Sequence, residues 1–84
     1  MRNAKAAYDT IRWDPRLDPG TFTIRYEDRV TGLVEVPFDV FAPGGDVPWH
    51  RVRAFCRGGL VVWDRVERID RLATLTRSAL PDLP

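Results

Sequence analysis

One cysteine, Cys56, and one histidine, His50, are all that this chain has of either residue, and several chemistries fall with that scarcity. A single thiol makes no internal disulfide, and one Cys with one His cannot fill a zinc site, so neither metal nor cofactor is expected. Metal-free phosphodiester cleavage commonly takes an acid and a base, two His or a His with Lys or Tyr, and only one imidazole is present. Carboxylates that would hold a catalytic metal are scattered among basic neighbours rather than clustered with His50. Cys56 as a nucleophile would need His50 within reach, yet six residues along one strand separate them by roughly 20 Å. The glycines of "PGGD" (43–46) lack the Lys and the following helix of a phosphate-binding loop. The sequence therefore argues against an enzyme. It also lacks an apolar run near the roughly 20 residues of a membrane span, and a signal-peptide core, so a cytoplasmic protein without membrane contact is expected.

Charge of one sign is lacking too. Thirteen Lys and Arg stand against twelve Asp and Glu, a net +1, which gives no global pull toward nucleic acid. Any such pull must be local. Eighty-four residues make one domain with one modest core, expected to bury roughly 60–65% of its unfolded surface. The 44% hydrophobic and 30% charged content fits a folded domain rather than a disordered one.

The periodicities predict the order α-β-β-β-β-α over residues 1–84: an α+β fold with a four-stranded, mainly antiparallel sheet of two hairpins. In "NAKAAYDTIRW" (3–13), Ala4, Ala7, Tyr8 and Ile11 share a helical face, and Asn3 can cap it. Pro15 and "DPG" (18–20) then stop the helix and turn the chain. "TFTIRYEDR" (21–29) alternates, with Phe22, Ile24 and Tyr26 on one face. "VTG" (30–32) has the form of a three-residue hairpin loop. "LVEVPFDVF" (33–41) alternates back, placing Val34, Val36, Phe38 and Val40 inward, and Pro37 marks an edge strand or a bulge. After the loop "APGGDVP" (42–48), the second hairpin is "WHRVRAFCR", Gly58-Gly59, "LVVWDR". Residues 66–80 read as a helical tail: Asp64 and Glu67 have capping-box spacing, and Val66, Ile69, Leu72, Ala73 and Leu80 form a stripe.

A two-residue turn at Gly58-Gly59 sets an expected register of Arg57 with Leu60, Phe55 with Val62, Arg53 with Asp64 and Val52 with Arg65. One face then carries Val52, Ala54, Cys56, Val61 and Trp63 as core, with His50 and Arg65 where it runs out. Two readings stand. His50 closes the core edge through a backbone hydrogen bond, or His50 and Arg65 beside the Trp63 indole form the rim of an anion pocket. The opposite face carries Arg51, Arg53, Phe55 and Arg57 with Leu60, Val62 and Asp64. It reads either as an aromatic among arginines for nucleic acid or as a solvated surface with an Arg53–Asp64 ion pair. A patch of this kind is more often a solvated surface, but three arginines and no acid in 49–57, against Glu35, Asp39 and Asp46 and no base in 33–48, keep the anion reading open.

The blocks "IRWDPRLDPGTFTIRYEDR", "VPFDVF", "VPWHRVRAF" and "VVWDRVERID" together resemble the RNA cyclic group end recognition domain family, over about residues 4–71. That resemblance implies a domain, alone or fused to RNA-processing enzymes, that binds RNA ends bearing a 2′,3′-cyclic phosphate or related group without cleaving them. The family's polar positions fall on Trp13, Asp14, Tyr26, Asp28, Arg29, His50, Arg51, Trp63, Asp64 and Arg65. Loop 42–48 is shorter than in several relatives, and the helix beyond Arg71 is outside the shared pattern. Residues and resemblance meet on His50, Arg51, Arg65 and Trp63, with Arg53, Tyr26, Arg29 and Asp64 as further candidates for RNA or phosphate. RNA termini are the expected partner, with RNA-processing enzymes beside them. The other reading is a protein-interaction or scaffold module whose arginine-rich strand face meets an acidic partner.

Overall fold

A computed structural model describes residues 1–42, 45 and 47–78, with 77 and 78 as backbone alone. Helix α1 spans Ala4–Trp13, and its start follows from Asn3, which is extended and accepts the Ala6 N–H on its side-chain oxygen at 2.8 Å. The four residues of the apolar stripe, Ala4, Ala7, Tyr8 and Ile11, are buried. Asp14 leaves the helix in an extended conformation, ahead of Pro15, which has no N–H to continue it.

Among the described residues the sheet has five strands rather than the expected four: β1 Phe22–Asp28, β2 Gly32–Pro37, β3 Val52–Arg57, β4 Leu60–Asp64 and β5 Ile69–Asp70. Their order is β2-β1-β3-β4-β5, antiparallel throughout. Both expected hairpins form, their turns using left-handed glycines, Gly32 at φ +86° and Gly58 at φ +61°.

The fifth strand replaces the first part of the expected tail helix. Asp64 does cap, but it closes a turn: its Oδ1 accepts the N–H groups of Val66 at 2.9 Å and Glu67 at 3.0 Å. Arg68, in the left-handed region at φ +59°, then reverses the chain. Ile69 and Asp70 return beside Asp64 and Trp63, and the Arg71 N–H donates to the Val62 carbonyl at 2.8 Å. Among the described residues, helix α2 is Leu72–Ser78. Of the expected stripe, Leu72 is buried, Val66 and Ala73 are exposed, and Leu80 lies outside the described residues. Among the described residues no helix is long and apolar enough to cross a membrane.

Two irregularities in the ladders correct the expected faces. Between β3 and β4 the pairs run Arg57–Leu60 and Cys56–Val61, then Phe55–Trp63 and Ala54–Asp64, so Val62 is the extra residue of a bulge. Between β1 and β3, Arg25 faces Ala54 but Tyr26 faces Val52, which makes Arg53 extra. Each bulge shifts the alternation by one. Val62 and Trp63 both enter the core, and Phe55, expected among the surface arginines, is fully buried against Phe38 and Trp63. Single 3-10 turns at Phe38–Val40 and Trp49–Arg51 also shorten the expected strands, leaving Val40 67% exposed while Phe38 and Phe41 are buried.

The core lies on one face of the sheet, where Ala7 and Ile11 of α1 join Phe22, Ile24, Phe55, Val62, Trp63 and Leu72. Along the other face runs the row Glu35–Arg25–Ala54–Asp64. Its charges are matched: Arg25 Nε meets Glu35 at 2.9 Å and Arg53 Nε meets Asp64 at 3.1 Å.

A basic cleft at the N-terminus of α1

Beside the start of α1 the surface opens into a cleft of about 490 Å³, within the ~300–1,000 Å³ common for small-ligand sites. The N-terminal residues Arg2 and Lys5, the 3-10 turn with Trp49 and His50, and the β4–β5 turn with Arg65 and Arg68 line it. Among the described residues, no carboxylate does. Its lining of four cations, an imidazole and two indoles is chemically suited to an anion with a flat apolar part.

The cations differ in how far they are engaged. Arg2 is held: its Nε meets Asp70 Oδ2 at 3.0 Å, one terminal nitrogen donates to the Thr10 hydroxyl at 3.0 Å, and its carbonyl accepts the Trp63 indole N–H at 2.9 Å. Lys5 pairs with Asp9 one turn along α1, an exposed contact of small value. Arg65 donates from Nε to the Val52 carbonyl at 3.3 Å, and its NH2 reaches no nearer than 3.9 Å to Glu27. That leaves most of the guanidinium fork uncommitted. His50 and Arg68 are exposed, and neither has a hydrogen bond or ion pair among the described residues.

Three of the sequence-derived candidates, His50, Trp63 and Arg65, therefore share one cleft. They converge by a route other than the expected one, since Arg65 is past the end of β4 and its N–H donates to the Arg53 carbonyl rather than pairing with Val52. Trp63 is 1% exposed with its N–H already taken, so it walls the cleft but offers no face for stacking. The half-buried Trp49, packed against Tyr8 and Phe41, is the indole with surface to spare.

The other candidates lie elsewhere. Arg53 is bound to Asp64 across the sheet's outer face, with Glu67 at 3.9 Å. Burial pushes the Asp64 carboxyl up, but the N–H groups of Glu67 and Val66 and the Arg53 guanidinium outweigh it and hold the carboxyl below its ordinary value. Arg51 follows His50 in the 3-10 turn but does not line the cleft; its charge reaches Asp28. Asp28 is held low chiefly by the N–H groups of Val30 and Thr31. Arg29 is exposed in the β1–β2 loop. Tyr26 lines a separate apolar hollow of about 200 Å³ with Phe41, Val36 and Val47. Cys56 is fully buried and pairs with Thr23 of β1, and burial raises its thiol above the usual range.

Sequence reasoning missed Arg2, Lys5, Trp49 and Arg68. Arg68 was hidden by the helix reading of 66–80, in which a left-handed residue has no place. The signal for Arg2 and Lys5 was weak but present: they flank Asn3, the helix cap, where Asp or Glu is the favourable choice for the dipole.

A family model described as the MJ1316 RNA cyclic group end recognition domain matches residues 1–65 of the chain. The match takes in Arg2, Lys5, Trp49, His50, Trp63 and Arg65 and stops before Arg68. No solved structure matches the chain.

Proposed function

Because the chain belongs to the family of the MJ1316 RNA cyclic group end recognition domain, we propose that the cleft beside α1 binds the terminal 2′,3′-cyclic phosphate of an RNA. In this reading the protein is a non-catalytic module that recognises such ends for RNA repair or end processing, alongside RNA-processing enzymes in the cytoplasm. The observation that carries it is the lining of the cleft: Arg2, Lys5, Arg65 and Arg68 with an unpartnered His50, and no carboxylate among the described residues.

A cyclic phosphate is a monoanion that has lost the 2′-OH as a donor, so it only accepts hydrogen bonds and calls for donors around it. The open fork of Arg65 and the His50 ring supply them. Trp49 gives the adjacent base a surface, and stacking of this kind is worth about 1–3 kcal/mol per base. Arg2, fixed by Asp70 and Thr10, adds field rather than a movable hand. The alternative of an acidic protein partner on the β3 arginines has less to stand on, because Arg53 is already neutralised by Asp64.

Fluorescence anisotropy on a short labelled RNA, prepared with a cyclic phosphate and with a 3′-hydroxyl, tests the reading. The cyclic end is expected to bind at least about tenfold more tightly, a difference of ~1.4 kcal/mol. His50→Ala and Arg65→Ala should each weaken it, whereas Arg57→Ala, remote at the β3–β4 turn, should not. Equal affinity for both ends would reduce the cleft to a general polyanion site. Hydrolysis of the cyclic end that is lost in His50→Ala would overturn the non-catalytic role.

A further inference from the structure

Among the described residues, Arg68 is the one cation of the cleft beyond the region that the family model matches, which ends at residue 65. Its backbone has φ +59°, a conformation that glycine adopts freely, Asn and Asp tolerate, and longer side chains enter at a cost. The reversal between β4 and β5 requires a left-handed residue there. It does not require a guanidinium. The side chain has no hydrogen bond or ion pair among the described residues, and it faces the cleft three residues from Arg65 in the same tight turn. Two guanidinium groups lining one cleft, with no carboxylate there among the described residues, favour an anion between them.

A terminal cyclic phosphate carries one negative charge, which Arg65 and His50 can meet. A second guanidinium without a partner among the described residues suits a second anion. In an RNA end that anion is the phosphodiester joining the last nucleotide to its 5′ neighbour. Resting on the reading of the cleft given above, we infer that Arg68 binds this penultimate phosphodiester, so that the ligand is an RNA end of at least two nucleotides rather than a terminal nucleotide alone.

Calorimetric titration of the full chain with adenosine 2′,3′-cyclic phosphate, and with the dinucleotide ApA ending in the same cyclic group, tests this. Wild type is expected to favour the dinucleotide by about tenfold, one charge-assisted contact. Arg68→Gln should erase most of that advantage while weakening the mononucleotide far less, and should lower the salt slope for the dinucleotide by about 0.7. Arg68→Gly, whose backbone suits this φ, should give the same binding result and guards against a folding artefact. Equal loss for both ligands would mean that Arg68 holds the terminal phosphate. No loss for either would mean that it holds none. Both results overturn the inference while the cyclic-end preference still stands. Loss of that preference in wild type, against ApA with a 3′-hydroxyl, would overturn the reading of the cleft as well.

Discussion

Removing the Asp64 carboxylate asks whether one oxygen holds the turn that presents Arg65 and Arg68. Asp64 Oδ1 accepts from Arg53 Nε at 3.1 Å, from the Val66 N–H at 2.9 Å and from the Glu67 N–H at 3.0 Å. In Asp64→Ala both backbone donors lose a cap-like acceptor, about 1 kcal/mol each. Arg53 also loses a partner in a pair whose side chains are 26% and 8% exposed, roughly another 1–2 kcal/mol. The sum, about 3–4 kcal/mol, is a large share of the roughly 4–12 kcal/mol expected of a domain this size. Asp64→Asn keeps an oxygen for the two N–H groups and loses only the charge, costing about 1 kcal/mol. Urea unfolding should therefore rank wild type above Asn above Ala, with unchanged slopes. If Asn were as damaging as Ala, the ion pair rather than the turn would be what Asp64 supplies.

The same residue fixes a pH dependence. Its folded carboxyl lies below the ordinary value despite burial, so its contribution is complete above the unfolded carboxylate value near about 3.9 and disappears as pH falls through the lower folded value. The stability gap between wild type and Asp64→Asn should be full above about pH 5 and close as pH falls through the ordinary carboxylate range and below it. A gap that stays constant across that range would contradict the assignment.

Two further outcomes follow from single residues. Arg68→Gly should stabilise the domain by about 0.5–1 kcal/mol, a backbone relief of ~1–2 kcal/mol less the extra freedom of glycine in the unfolded chain; a fall in Tm would show that the turn is not strained. Cys56, fully buried with its thiol raised by burial, should react with iodoacetamide at least about 100-fold more slowly in the folded protein than in urea, an opening cost of ~3 kcal/mol or more; comparable rates would place the thiol at the surface.

Where local chemistry and tertiary structure agree, the sequence was readable. Asn3 caps α1, Gly58 turns the second hairpin, and Phe22 and Ile24 alternate into the core. It failed at two kinds of place. A bulge leaves no mark on a two-residue period, so neither the extra Val62 that lets it and Trp63 both be buried nor the extra Arg53 that lets Val52 and Phe55 both face the core could be counted from Gly58. The Asp64–Glu67 spacing serves an Asx turn as well as a helix cap, and the residue that decides between them, Arg68, is one that rarely takes a left-handed φ. His50 and Arg65 were legible as a pair because both flank the same hairpin. Arg2 was not, because it reaches the cleft through Asp70 and Trp63, more than sixty positions away.

The three indoles of this protein occupy three separate environments. Trp13 is 72% exposed beneath the Arg12 guanidinium, Trp63 is 1% exposed, and Trp49 sits half-buried at the cleft. Their emission is therefore sorted by solvent contact before any label is attached. Replacing Trp13 with Phe would silence the water-facing fluorophore and leave one sealed reference beside one reporter at the mouth of the site. The remaining spectrum would respond to whatever settles against Trp49, and an iodide quencher would be stopped by the same occupant.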